Sequence, residues 1–248
     1  MKLYEILLRK VGLWSSPSST TTVTTTTTTT GKTAAQSEES KVYNPIGCKV
    51  GGVVKVDALD FREHRFTVRE IQEYSVSIGG SNHRMVDYIL LARPIGKPDF
   101  LCRLRIVPNP DSKSMTTHRS LLLSLYDDLA YNEGLHGVVR DETKKFVIDD
   151  DKKDDDATND THEEFWRVND VGTSYVANVK TLADTNGDGK VASNEVTNGQ
   201  VEFWDYSRLT DLDGVETEEF VFVEMNKSDG WFKIWRGAEV NPERIEVF

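Results

Sequence analysis

The sequence has few covalent staples and no stretch that could cross a membrane as a helix. Its 248 residues include only two cysteines, Cys48 and Cys102. Two are too few for a disulfide framework, and they match no metal-ligand spacing. Two buried thiols or a single bond between them are the readings left open. No run of roughly 18 apolar residues occurs, which excludes a spanning helix. The opening segment Met1 to Trp14 is broken by Glu5, Arg9 and Lys10, so it lacks the uninterrupted apolar core of a secretory leader. These absences leave the compartment open and favour a cytoplasmic or membrane-peripheral chain. Five histidines are scattered without ligand spacing. No Gly-x-Ser-x-Gly element, phosphate-binding glycine loop or zinc signature is present.

Basic residues are scarce where acidic ones are dense. The formal net charge is -11, and from Asp149 onward 25 acidic residues face 10 basic ones. Phosphate repulsion there argues against nucleic acid as a partner and suits a cation or a basic protein surface.

The chain divides into five pieces. Residues 1–14 carry Leu3, Ile6, Leu7, Val11 and Trp14 at helical spacing, with Lys10 in the same stripe. They read as an amphipathic anchor or docking helix, for a protein partner or a membrane surface. Residues 15–41 are a Thr- and Ser-rich linker that cannot bury enough apolar surface to offset its ordering entropy. Residues 42–148 read as a β-rich lobe. Its strands are expected at Val53–Val56, Arg65–Val68, Tyr74–Ile78, Tyr88–Leu91 and Leu101–Ile106. One prominent helix is expected from Thr116 to Tyr131, where Leu121, Leu122, Leu125 and Leu129 recur at helical spacing and Gly134 and Gly137 follow. Residues 149–162 are an acidic low-complexity linker. Residues 163–248 form a second β-rich lobe, with strands at Phe165–Val168, Tyr175–Leu182, Val201–Ser207, Glu219–Met225, Trp231–Arg236 and Arg244–Phe248.

The fold class expected is therefore mainly β (α+β), a two-lobed antiparallel sheet region with one prominent helix. The spacing Tyr74, Tyr88, Phe100 repeats in Tyr206, Phe220, Phe232, which suggests a duplicated hairpin unit or merely a common meander spacing.

One stretch carries specific chemistry. Asp184, Asn186 and Asp188 present side-chain oxygens at alternate positions, Gly189 permits a sharp turn, and Glu195 closes the run as a bidentate carboxylate. Lys190 contributes its backbone carbonyl, Val191 ties the loop to a core, and Ala192 stands where a water usually intervenes. This segment resembles the calcium loop of the EF-hand family, and the resemblance implies calcium as the cofactor. The flanks depart from that family: Lys180 and Ala183 replace the apolar anchors of the entering helix, and Thr197-Asn198-Gly199 stops an exit helix. A lone loop between strands points to a structural calcium ion rather than a sensing pair.

Two further groups are candidates. Asp205, Glu224, Glu202 and Glu239 could supply a carboxylate pair for glycoside hydrolysis. Trp231 and Trp235 share one strand face with Lys233, with Phe232 and Ile234 on the other. The Trp face is either core or a platform for a sugar or protein. The functional expectation is a non-enzymatic accessory or attachment subunit of a larger protein assembly, stabilised by one calcium ion. A carbohydrate-binding or glycoside-hydrolysing β-domain and a calcium-responsive regulator are the alternatives.

Overall fold

The computed structural model describes residues 43–57, 64–78, 81–93, 99–107, 119–140, 142–149, 162–168, 174–183, 196–212 and 215–248. The anchor, the Thr-rich linker, the interior of the acidic linker and the segment 184–195 lie outside these residues.

Twelve strands are described: β1 (Val53–Val56), β2 (Arg65–Ile78), β3 (Ser81–Ala92), β4 (Phe100–Val107), β5 (Arg119–Leu129), β6 (Lys145–Asp149), β7 (His162–Arg167), β8 (Tyr175–Ala183), β9 (Val196–Leu212), β10 (Val215–Asn226), β11 (Phe232–Val240) and β12 (Ile245–Val247). Helical structure among the described residues is limited to α1 (His136–Val139) and the 3-10 turns Glu133–Leu135 and Pro242–Arg244. Eight strands close a ring in the order β2-β3-β4-β5-β11-β10-β9-β8, every neighbour antiparallel. Closure removes the sheet edges that an open meander would expose.

A β-bulge between Val68 and Glu70 marks where β2 changes partner. Before it, Arg65 to Thr67 pair with β1; after it, Glu70 to Val76 pair with β8. β9 does the same in reverse, pairing with β8 over Val196 to Phe203 and with β7 at Tyr206 and Ser207. The ribbons β1–β12 and β6–β7 are thus flaps on either side of β8, against the outside of the barrel wall.

Those flaps explain the apolar content of the strands. Val54, Val56, Cys48 and Val50 cover the outer face of β2 to β4 at Phe66, Val68, Tyr88, Leu90, Cys102 and Leu104. On the other side, Ile148, Phe165, Leu135 and Val138 cover Trp204, Tyr206, Val221, Val223 and Ile234. A wall covered outside and packed inside is apolar on both faces, so its strands read as continuous runs rather than alternations. Every residue from Met85 to Ala92 is buried for this reason.

The same physics corrects two expectations. The helix expected over Thr116 to Tyr131 is not found among its described residues: Arg119–Leu129 is β5, with Leu121 and Leu123 inside the barrel and Leu122 in the outer core. Leucine on both faces of a doubly covered strand imitates a helical stripe over a short window. Nor is the fold a two-lobed sheet. β5 of the first half pairs with β11 of the second along nine residue pairs, and β8 pairs with β2, so one barrel spans both.

The repeated aromatic spacing does fall on matching strands, β2 and β9, β3 and β10, β4 and β11. Yet Tyr74 faces the lumen, whereas Tyr206 lies in the outer core. The two arcs also progress around the ring in opposite senses with the same strand directions, so no rotation of the barrel superposes them.

Candidate functional site

Eight strands leave an interior wide enough for side chains to fill or for one small ligand. Here the interior is filled at one end and hollow at the other. Aromatic and aliphatic residues fill the closed part: Phe220, Phe222, Leu121, Leu123 and Trp235, with Phe203, Met85 and Val107 beside them.

Four fully buried charges cross the middle. Arg103 donates from Nη1 and Nη2 to the two carboxylate oxygens of Glu224, at 2.5 and 2.8 Å. Arg105 donates from Nε and Nη2 to Asp87 at 2.9 Å each, and from Nη2 to Glu224 Oε1 at 2.7 Å. Both guanidinium groups also lie over aromatic rings, Arg103 over Trp235 at 4.1 Å and Arg105 over Phe222 at 4.6 Å. The charges sum to zero, and bidentate geometry with ring stacking offsets the desolvation that isolated charges would suffer there.

Burial alone would raise the Glu224 carboxyl, but Arg103 and Arg105 outweigh it and hold the pKa down at about 2. Asp205, beside Phe222 on the lumen side of β9, has the opposite fate: burial lifts its pKa to about 7, against a weaker pull from Arg105. Its Oδ1 has no hydrogen-bond partner.

Below the charged layer the barrel holds a cavity of about 890 Å³. Its inner end is Arg103, Glu224, Tyr74 and Trp235, and its aliphatic wall includes Ile89, Leu91, Leu125 and Val179. Toward the opening the wall turns polar and charged, with Gln72, Asn226 and Ser228 beside Arg69, Glu70 and Lys233; the side chains of Asn198 and Gln200, which flank Gly199 on β9, are exposed on the other face of that strand. Trp231 stands at the rim, 45% exposed. The turn that carries it is tightly bonded: Asp229 accepts from the Trp231 backbone N–H and from Asn226 Nδ2, and Gly230 takes φ +69°. Two glycines in the barrel wall contrast. A Cβ on Gly237 would sit 1.9 Å from the Leu122 carbonyl oxygen, so close strand approach demands glycine there. A Cβ on Gly199 would meet nothing within 4 Å, although Gly199 lines the cavity.

The sequence-predicted residues distribute as follows. The Trp face of β11 is neither surface nor solid core: Trp235 is buried at the inner end of the cavity and Trp231 flanks its mouth, while Phe232 and Ile234 pack outside under the flap. Of the four carboxylates, Glu224 lines the cavity, with both oxygens engaged by guanidinium, and Asp205 does not reach the cavity wall. Glu202 pairs with Lys227 and Glu239 with Arg119, away from it. Cys48 and Cys102 are free and buried. Among the described residues no cluster of three or more histidine, cysteine or acidic side chains could hold a metal. Asp184, Asn186, Asp188, Lys190 and Glu195 lie outside the described residues.

Sequence reasoning missed Arg103, Arg105 and Asp87. In Leu101-Cys102-Arg103-Leu104-Arg105-Ile106 the arginines alternate with apolar residues and read as a solvated face. The signal available was the neighbouring β3 run, apolar on both faces except for Asp87.

Comparison with protein-family models, with curated proteins and with solved structures returns no match. The fold and the site by themselves define a closed β-barrel with a one-ended luminal cavity.

Proposed function

We propose that this protein binds a small molecule inside its barrel. The observation that carries the reading is the cavity itself: a volume in the range of roughly 300–1,000 Å³ typical of ligand sites, with mixed polar and apolar walls. The charged layer gives it a rigid inner end, because bidentate pairs across the lumen tie β4 to β10. Binding is better supported than hydrolysis, since both Glu224 oxygens accept from guanidinium groups, Asp205 is outside the wall, and the other lining carboxylates, Glu70, Asp99 and Asp229, are engaged by Gln72, Arg93 and the Trp231 turn. Gly199→Trp tests the reading, because the side chain enters open space in the cavity without backbone collision. Anilinonaphthalene sulfonate, a fluorescent apolar probe, should bind the wild-type chain and lose binding in Gly199→Trp at unchanged circular dichroism. Equal probe binding by both proteins would refute a luminal site.

A second reading concerns calcium. What supports it is the antiparallel pairing of Leu182 with Val196, which sets side by side the two described strand ends that flank the twelve-residue segment Asp184 to Glu195. First and last ligands of a single-ion loop must meet, and a hairpin connection meets that need as well as a helix pair does. The ion would then be structural, joining β8 to β9 at the cavity end of the barrel. The helix and tether expected from the sequence of residues 1–41 extend the proposal: a ligand-holding barrel acting as an accessory unit attached to a larger assembly.

A further inference from the structure

We infer that residues 1–14 dock on this chain's own barrel, against the outward face of the flap β6–β7 and the adjoining end of β9.

Strand register defines that face. Trp166 on β7 pairs with Lys145 on β6 and with Ser207 on β9, and Val147 pairs with Glu164. Leu209 lies two residues beyond Ser207 on the same strand, so it shares this face and stands diagonal to Trp166. Val147, Trp166 and Leu209 are thus neighbours, and they are 47%, 53% and 60% exposed. Their chain neighbours Ile148 and Phe165 point the other way and are buried beneath the flap. The flap is therefore well packed on its inner side while its outer side keeps three apolar residues in water. Scattered single residues of this kind are ordinary, but a contiguous group marks a contact surface.

Charge selects the occupant. Glu164 borders the group, and Asp211, Glu216 and Glu218 continue the same face along β9 and β10, with Lys145 and Arg119 as their basic counterparts. Acidic residues are in excess there. Residues 1–14 carry the opposite balance, Lys2, Arg9 and Lys10 against Glu5, beside the stripe Leu3, Ile6, Leu7, Val11 and Trp14. A second copy of the acidic face, or an anionic lipid surface, would instead meet repulsion. Size agrees as well. A helix with its side chains is roughly 10–12 Å across, and three strands spaced about 4.8 Å apart offer a face of that width. A helix this short is marginal alone in water, so it needs an apolar surface to fold against.

The connection permits the contact. Residues 15–42 reach up to roughly 90 Å when extended, against a radius of gyration of roughly 17 Å for a domain of this size. They lead to Tyr43, which is held to β2 and β3 by Glu73 and Arg84. Joined in one chain, the two surfaces meet at an effective concentration on the order of millimolar. Residues 1–14 docked here are withheld from any other surface, so attachment to a partner requires their release.

Hydrogen–deuterium exchange of the full chain tests the docking. Amides of residues 3–14 should exchange about tenfold or more slowly than in an unstructured peptide, at a rate independent of protein concentration. Leu209→Asp changes the face and Leu7→Asp changes the segment; each should abolish this protection and leave the barrel's own amides as they were. If Leu209→Asp also loosens the barrel, Leu7→Asp decides, because that residue lies outside it. Unstructured exchange rates in the wild type, or protection that survives Leu7→Asp, would overturn the assignment. Protection that grows with protein concentration would give the face to a second copy. Protection that appears only with phosphatidylglycerol vesicles would give the segment to a lipid surface. Either of these outcomes overturns the contact within one chain.

Discussion

Arg103 and Glu224 are 121 residues apart in the chain and meet across the barrel interior through two parallel hydrogen bonds. Between them they join the first arc of strands to the second. Glu224 also accepts from Arg105, so one carboxylate neutralises parts of two buried guanidinium groups.

Removing that carboxylate leaves buried cations without their acceptor, the condition under which breaking an ion pair costs about 3–5 kcal/mol. Glu224→Ala should therefore lower unfolding free energy by about that amount in a urea titration, with the slope of the transition little changed. Glu224→Gln keeps the shape but not the charge and should fall between the two. A loss under about 1 kcal/mol for the alanine variant would mean the layer is solvated and does not bolt the barrel.

The two lumen-side carboxylates pull stability in opposite directions with pH. Glu224 has a depressed pKa, so its contribution is present above its unfolded value of 4.5 and is lost as pH falls toward about 2. Asp205 has a raised pKa: the folded state holds a proton that the unfolded state releases near 3.8, so stability declines as pH rises from there to about 7 and then levels. The Asp205 decline is on the order of 4 kcal/mol at 1.36 kcal/mol per unit. The two groups together contribute most near pH 4 to 5, and Asp205→Asn should flatten the slope between pH 4 and 7. An unchanged slope in that variant would show that another group carries the titration.

The two wall glycines give a paired prediction. Gly237→Ala drives a methyl group into the Leu122 carbonyl and must push β5 and β11 apart, so a destabilisation of at least about 2 kcal/mol is expected. Gly199→Ala adds a side chain to open space in a strand, and relief of glycine's chain entropy should leave stability equal or up to about 1 kcal/mol higher. Thermal melts of the two variants side by side check this. Equal losses at both sites would contradict the assigned packing.

Most of the strand positions could be read from the sequence, because Val53–Val56 and Glu219–Met225 are rich in β-branched or aromatic residues and Cys102–Ile106 alternates apolar and charged residues. The closure could not. It depends on Glu70 to Val76 meeting Ala177 to Ala183 and on Ser120 to Leu129 meeting Phe232 to Val240, pairings separated by more than 100 residues with no local mark. The helix expected over Thr116 to Tyr131 failed because a strand covered on both faces loses its two-residue period. The candidate site was legible in fragments: Trp231, Trp235 and Glu224 were each singled out. Their convergence was not, since strand register alone decides that Glu224 and Trp235 share the lumen with Arg103.

The proposed calcium segment yields the last prediction. A ligand that binds only the folded chain stabilises it by RT ln(1 + [L]/Kd), about 2.7 kcal/mol at a hundredfold excess over Kd. For a domain of this size that corresponds to roughly 5 °C or more in melting temperature. Adding a chelator to the calcium-loaded protein should lower Tm by that much, and Glu195→Gln, which removes the bidentate ligand, should make the protein insensitive to chelator. Because β8 and β9 are held by their neighbours β2 and β10 as well as by each other, the barrel should persist without the ion, with an unchanged hydrodynamic radius. A large change in radius on chelation would instead support the calcium-responsive regulator. Superimposable melts with and without chelator would remove calcium from the account and leave the luminal site untouched.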